Sequence, residues 1–417
     1  MAELKPLFAL HYDPAVAGPL ADVVAPPYDV IDPAQRAALV AQSPFNAVEI
    51  DLPEGEDRYD KAAALLEQWR LDGVVTQDRE PALWAMTQDY TGPDGAPRTR
   101  QGFFARVRVE DYGPGRIRPH ERTHPGPKED RLRLTRATRA NLSPIFSLYS
   151  DPDGAAWGAL APHTTGEPWG EVTDPDGTLH RIWRVADPPA IADAIGALAD
   201  TELLIADGHH RYETARVYAD EIGGEGDHRY VLMCLVALED PGLTVFPTHR
   251  LAKGLDSAHQ EALADAIRRD FDIARVAPEQ IAPPPTDGPL TLGYIDSHFK
   301  TPWRLTLKSQ DIADAALAGM PSAYRRLDAG ILETLLLKGA LELTDDDISH
   351  LNDFGYARDA AQALELVESG AFDVAFLLRP TPVQQVRDIA AEGQSMPPKS
   401  TYFFPKVLTG LLFSPLE

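Results

Sequence analysis

The hydrophobic pattern opens on D-V-V-A-P-P-Y-D-V-I from Asp22, which reads as a short strand entering a Pro-Pro turn; Pro33 then suits the first position of a helix. A second helix is expected over 59–69, where apolar residues fall at 62, 65, 66 and 69 ahead of Gly73. Two β-like stretches, 82–90 and 102–109, flank a loop containing P-D-G-A-P, the spacing of a hairpin. Strand 179–185 leads to a helix at 189–198. Next come an apolar strand, the turn Asp207-Gly208, and a helix with Tyr212, Ala215 and Ala219 on one face, followed by an apolar strand at 230–238. Beyond a P-P-P stretch near 283, a hairpin (290–295 and 303–307), helices at 329–337 and 357–368, a strand at 374–378 and a helix at 383–391 precede the tail M-P-P-K-S-T-Y-F-F-P-K. No repeat occurs at any period. The pattern is α/β with mixed sheets, and two regions are expected, 1–250 and 251–417.

The stretch 113–141 breaks this rhythm. Gly, Pro, His and Arg dominate it, its apolar residues lose their period, and it reads as a long loop leading into a basic helix. Its charge matters because the chain as a whole is acidic: 39 Lys+Arg against 64 Asp+Glu give a net charge of −25. Such a field repels nucleic acid and anionic membranes, so a phosphate ligand must be met by a local cluster. Arg116, Arg118, Arg122, Lys128, Arg131, Arg133, Arg136 and Arg139 supply one. Hydrophobic residues at 44% and charged residues at 25% are ordinary globular values. A lone cysteine, Cys234, sits in an apolar run and permits no internal disulfide, which fits a reducing cytoplasm. No segment approaches 18 apolar residues and no leader precedes the first strand, so a soluble cytoplasmic protein is expected. Nothing in the sequence speaks to oligomeric state.

The turn Asp207-Gly208-His209-His210-Arg211 is the most informative constellation. A strand, a glycine turn and a helix start place backbone N–H groups and a positive helix end at a sheet edge, where anions bind. The histidines and Arg211 add directed donors, and Asp207 can hold a metal ion or accept a proton; the plainer reading is a capped helix with surface histidines. His120-Glu121-Arg122-Thr123-His124 matches a zinc-protease string, but Pro119, Pro125 and Pro127 deny it the continuous helix that chemistry needs. Phosphate or carboxylate contact suits this loop better, with Lys128, Arg131, Arg136, Arg139 and Asn141 lining an anionic pocket or forming a solvated face. In the tail, Lys399, Ser400 and Thr401 follow a rigid Pro-Pro turn that pre-positions their donors, with an ordinary terminal loop as the equal alternative. Pro26-Pro27-Tyr28-Asp29 repeats the device with a carboxylate, where a structural turn is the plainer reading. Walker A, G-x-G-x-x-G, G-x-S-x-G and paired-cysteine patterns are absent.

Together V-V-A-P-P-Y-D-V-I, P-H-E-R-T-H-P-G-P-K, R-A-T-R-A-N-L-S-P-I-F-S-L-Y, A-D-G-H-H-R-Y-E-T-A and M-P-P-K-S-T-Y-F-F-P-K resemble the bacterial and archaeal family catalogued as domain of unknown function 1015, from about Asp22 to Leu411. His124 departs from the apolar residue expected there. The D-G-H-H-R turn, over Ala206 to Ala215, is also similar to that of ParB-like free-serine kinases, whose fold is shared with the nucleotide-binding domain of ParB and with sulfiredoxin. That likeness implies a ParB/sulfiredoxin-like phosphate-binding core in 1–250, with the basic loop 113–141, and an additional α+β subdomain in 251–417 whose loop 396–406 returns to the site. It implies a small-molecule kinase that uses ATP or ADP and Mg2+ and acts on a hydroxylated amino acid such as serine. Asp207, Glu121 and Asp29 are the candidate acids, with Asp207 also the candidate metal ligand. Gly208, His209, His210, Arg211, His120, Arg122, Lys128, Arg131, Arg136, Arg139, Asn141, Lys399, Ser400 and Thr401 are the candidate phosphate or nucleotide contacts. The alternatives are a nucleotide-sensing ParB-like regulator and a metal-dependent hydrolase using Asp207, His209, His210 and His120.

Overall fold

The computed structural model describes residues 2–123, 125–286 and 288–417. The chain forms two compact units, one of 2–244 with Pro405–Glu417 and the other Val245–Phe404. Both are mixed α/β, the class the hydrophobic pattern predicts.

The first unit is built on a nine-stranded sheet. Its strands are β1 (Leu4–Lys5), β2 (Leu83–Thr91), β3 (Pro97–Arg108), β4 (Ile117–Arg118), β5 (Ile145–Tyr149), β6 (Gly170–Thr173), β7 (Leu179–Val185), β8 (Leu203–Asp207) and β9 (Tyr230–Ala237). Their spatial order is β4-β8-β5-β9-β3-β2-β7-β6, with β1 on β3. β8 runs parallel to β4 and β9 parallel to β5, while β5 and β8 are antiparallel. The expected hairpin is β2–β3, with Trp84 opposite Phe104. β9, Y-V-L-M-C-L-V-A, reads as an unbroken apolar run because it is a central strand buried along nearly its whole length. On one face Val231, Met233 and Leu235 pack with Ala156, Leu160, Ala190, Ala194, Tyr212 and Ala215 from three helices. Cys234 is fully buried, and burial pushes its thiol up to about 12, which leaves it inert at neutral pH.

Three local expectations change. The expected strand at Asp22 is instead a helical turn, Leu20–Val23, and Ala25 makes a single bridge to Thr409. Pro26 and Pro27 lack the N–H groups that would continue a ladder. Strand β5, the I-F-S-L-Y of the third motif, was not anticipated as a strand and lies between β8 and β9. The expected division after residue 250, with everything beyond it in one subdomain, also differs: the chain leaves the first unit at Thr244 and re-enters it at Pro405. The tail is held there by rungs from Thr409 to Ala25, Phe413 to Leu10 and Ser414 to Asn141.

The second unit carries a six-stranded sheet with an apolar core that includes Leu251, Ile295, Ala363, Val367, Ala375 and Leu377. Its hairpin Thr291–Asp296 with Trp303–Leu307 and its helix Val383–Ala391 fall where the pattern predicts them. Among the described residues no helix is long and apolar enough to cross a membrane.

Candidate functional site

β8 ends at Asp207, and Gly208 stands at φ +98 before the helix His209–Ile222. Only glycine adopts that backbone cheaply. A Cβ there would also lie 2.9 Å from Arg211 Nε, so the glycine makes room for the guanidinium to fold back over the turn. Arg211 Nη2 donates to Asp207 Oδ2 at 3.0 Å, and Nη1 donates to Ser143 Oγ at 2.8 Å and to the Pro144 carbonyl. On the other side of the carboxylate, Lys406 Nζ stands 3.4 Å from Asp207 Oδ1. Asp207 therefore sits between two cations, all three side chains being largely buried.

The two histidines beside it are locked as neutral bases. The backbone N–H of His120 donates to His209 Nε2 at 3.2 Å, so His209 carries its proton on Nδ1. His120 Nδ1 donates to the Ile205 carbonyl at 2.7 Å. The rings meet edge to face with centroids 4.6 Å apart. Burial holds both below the usual histidine value: His120 against Glu121, the bond to the Ile205 carbonyl and Asp207, and His209 well below it, with His120, His210 and Arg211 adding to the effect against the pull of Asp207. His210 is half-buried on the same turn, and Glu121 is half-buried next to His120. His124 lies outside the described residues.

The helix Pro125–Thr138 packs against the helix His209–Ile222 and brings one of its arginines inward. Arg131 is buried, donates from Nη1 to the Asp51 carbonyl and to Asp51 Oδ1 (3.3 Å), and reaches Asp130 Oδ2 at 2.6 Å. Its guanidinium lies 4.3 Å over the ring of Tyr28, from the first Pro-Pro turn. Burial, with the neighbouring Asp29, pushes the Tyr28 hydroxyl up to about 12, against Arg211 and Arg131. Burial likewise holds the Asp51 carboxyl above its usual range despite Arg131 and Arg211. A cavity of about 40 Å³ opens between these groups, lined by Asp51, Arg131, Thr135, Asn141, Ser143 and Arg211 among others. It has room for about three water-sized groups.

The other candidates are placed differently. Arg136 is an exposed partner of Glu221 at 2.5 Å, and Arg139 is exposed 3.9 Å from Glu417. Arg122 and Asp29 are exposed, and Lys128 is half-buried with its carbonyl accepting from Thr214 Oγ1. Asn141 borders the cavity, yet its Oδ1 accepts from the Leu232 N–H, a structural bond to β9. Lys399, Ser400 and Thr401 belong to the second unit. There the Pro398 and Lys399 carbonyls accept from Arg250, and Lys399 is exposed in the left-handed region at φ +56. Ser400 does not offer its hydroxyl to a ligand: it is buried, with Oγ donating to the Pro397 carbonyl at 2.6 Å, and Thr401 is buried beside it. Among the described residues no group of three or more His, Cys, Asp and Glu side chains could hold a metal ion.

Sequence reasoning missed Lys406, Ser143, Asp51 and the inward role of Tyr28. The signal for two of them was present, because F-P-K closes the tail motif and N-L-S-P lies within the third. In the first unit, pieces of four motifs meet at this turn, with His120 on His209, Ser143 on Arg211 and Lys406 on Asp207, while Tyr28 of the fifth lies under Arg131, which lines the same cavity as Arg211.

The chain belongs to the family described as Protein of unknown function (DUF1015), whose model matches residues 4–329. The match reaches further toward the N-terminus than expected and ends before the tail motif. No curated protein matches the chain. Among solved structures it is similar to a conserved hypothetical protein from Pyrococcus furiosus, at 14% identity and TM-score 0.35 over 69% of this chain and 87% of that one. It is similar as well to a free serine kinase in complex with AMP, at 13% identity and TM-score 0.37 over 69% of this chain and 83% of that one. A third is SbnI with a C-terminal truncation from Staphylococcus aureus, at 12% identity and TM-score 0.36 over 73% and 85%. Likenesses at this level carry no functional weight.

Proposed function

We propose that the first unit is a small-molecule kinase, transferring phosphate from ATP or ADP to a hydroxylated amino acid such as serine. The observation that supports this reading is the meeting of the turn with the far end of the chain, which leaves one carboxylate flanked by two cations at the positive start of a helix. Phosphoryl transfer asks for donors on the phosphates and a group that takes the acceptor's proton. Arg211, the helix start at Gly208, and the neighbouring His209 and His210 serve the first need, and Asp207 the second. The serine specificity rests on the resemblance of the D-G-H-H-R turn alone.

Mg2+ fits this donor set poorly on the protein's side. Asp207 offers one carboxylate, and both of its oxygens already face cations. The same double pairing gives the second reading its support: a carboxylate tied to two cations suits a nucleotide-sensing regulator that binds without transfer. Titration calorimetry with ATP and ADP, with and without Mg2+, tests the kinase reading, and failure to bind either at millimolar concentration overturns it. Mass spectrometry after incubation with nucleotide and serine separates the two: phosphoserine supports the kinase, and binding without any phosphorylated product supports the sensor.

A further inference from the structure

The second lysine of the tail motif carries a further inference, which rests on the kinase reading. Three fully buried polar side chains and an aspartate converge on the peptide that bears it. Arg100, 1% exposed, donates from Nη2 to the Pro405 carbonyl at 2.5 Å and from Nε to Gln88 Oε1 at 2.8 Å. Gln88 Nε2 donates to the Lys406 carbonyl at 3.0 Å and to His180 Nδ1 at 3.1 Å. His180 passes the chain on through Nε2 to Asp174 Oδ2 at 2.9 Å.

Arg100 is an unusual group to bury for stability alone. Among the described residues it makes no ion pair, its Nη1 has no hydrogen-bond partner, and its guanidinium lies over the Phe146 ring at 4.5 Å. Burial pushes it down to about 10. A buried cation without an acid bears an uncompensated desolvation penalty, and an apolar residue of similar volume would pack at lower cost. What Arg100 does hold is the backbone on either side of the Pro405–Lys406 bond, together with Gln88, while Pro405 fixes its own φ. The result is a lysine whose main chain is fixed and whose ammonium reaches the carboxylate of the anion turn.

We propose that Lys406 supplies the cation that meets the transferring phosphoryl group, held ready on Asp207 until nucleotide arrives, and that Arg100, Gln88 and His180 are positioning residues for it. Nζ passes from Asp207 Oδ1 to a non-bridging phosphoryl oxygen. Asp207, relieved of one cation, takes the proton of the acceptor hydroxyl as the new O–P bond forms. The bond to the leaving phosphate breaks with its electron pair, releasing ADP from ATP or AMP from ADP.

The test is calorimetric titration of ADP and ATP into the full chain as wild type, Lys406→Met, Arg100→Met and the double variant. Loss of a charge-assisted contact predicts about tenfold to a hundredfold weaker binding for Lys406→Met. Arg100→Met is expected to weaken binding less, and the double variant to bind no more weakly than Lys406→Met alone, because Arg100 acts through Lys406. A purely structural Arg100 would lower the melting temperature without this non-additivity. If Arg100→Met fails to fold, Gln88→Glu takes its place, since it keeps the oxygen that Arg100 uses and removes the N–H given to the Lys406 carbonyl. Wild-type affinity in Lys406→Met, or additive losses in the double variant, overturns the inference. Absence of nucleotide binding by the wild type instead overturns the kinase reading itself.

Discussion

The inner and outer faces of the helix Pro125–Thr138 carry the same residue type in opposite circumstances. Arg131 faces inward, where two carboxylates, a carbonyl and an aromatic ring surround it. Arg133 and Arg136 face outward, with side chains 57% and 44% exposed, each paired to a single glutamate. Water and salt screen the outer pairs, which are worth little. The inner one has been stripped of water and must be matched by its partners, or it destabilises the fold. A run of basic residues in sequence is therefore not a basic site in space: one arginine of the helix borders the cavity beside Arg211, and the rest dress the surface.

The largest effect that sharpens this contrast is expected at the centre. Asp207→Asn should lower phosphoryl transfer by about a hundredfold to ten-thousandfold, the range for a lost proton acceptor. Nucleotide should bind at least as tightly, since Arg211 and Lys406 would no longer share their charge with a carboxylate. Coupled kinetics and calorimetry on one preparation read both, and an unchanged rate would remove Asp207 from the chemistry. Next in size is Arg131→Met. It strands Asp51 in a buried site and should cost about 3–5 kcal/mol of unfolding free energy by denaturant titration. Adding Asp51→Asn should recover much of that loss, which a generic packing defect would not allow.

The same contrast shows what the sequence could and could not reveal. Periodicity located β7, the β2–β3 hairpin, the strand and helix around Asp207-Gly208, and the helix Val383–Ala391, because each is a local pattern of burial. It missed the tail's return to the first unit, since the rungs Thr409–Ala25 and Phe413–Leu10 join residues hundreds of positions apart and leave no periodic trace. The site divided in the same way. Asp207, Gly208, His209 and Arg211 were legible because glycine turns and helix starts have local chemistry. Lys406 was not, because its meaning depends on a lysine from the far end of the chain meeting that turn. Lys399 follows a rigid Pro-Pro pair that suggests a prepared donor, whereas Pro405-Lys406 bears no such local mark. Nor could composition tell Arg131 from Arg136, five residues further along the same helix.

Acidification should separate the two environments by a smaller margin. Burial keeps His120 and His209 deprotonated in the folded protein below the ordinary histidine value. The unfolded chain takes up those protons near pH 6.5, so below that pH the unfolded state binds more protons and folded stability falls as pH falls. The slope is at most about 1.4 kcal/mol per pH unit for each histidine, and the term is fully present above about pH 7. Denaturant titrations between about pH 7 and about pH 5.5 should show it, and His209→Gln should lose its share. The outer Arg136–Glu221 pair adds no slope in this window, because Arg136 holds the Glu221 carboxyl below its usual range. A slope unchanged by His209→Gln would mean that this ring is not the buried neutral base its partners imply.

The smallest expected effect is the most direct test of the outer face. Arg136→Ala removes an exposed pair with Glu221 and should change unfolding free energy by no more than about 1 kcal/mol. At about 1 M salt, where the screening length is about 3 Å, even that difference should vanish. Nucleotide affinity should be untouched, since the helix turns this side chain toward Glu221 on the surface rather than toward Arg211. A clear loss of nucleotide affinity in Arg136→Ala would break the comparison, because it would return the outer arginines to the phosphate-binding role their sequence position first suggested. The same titration on Arg131→Met with Asp51→Asn should show the opposite balance: stability largely restored, and affinity reduced wherever the cavity beside Arg211 takes part in binding.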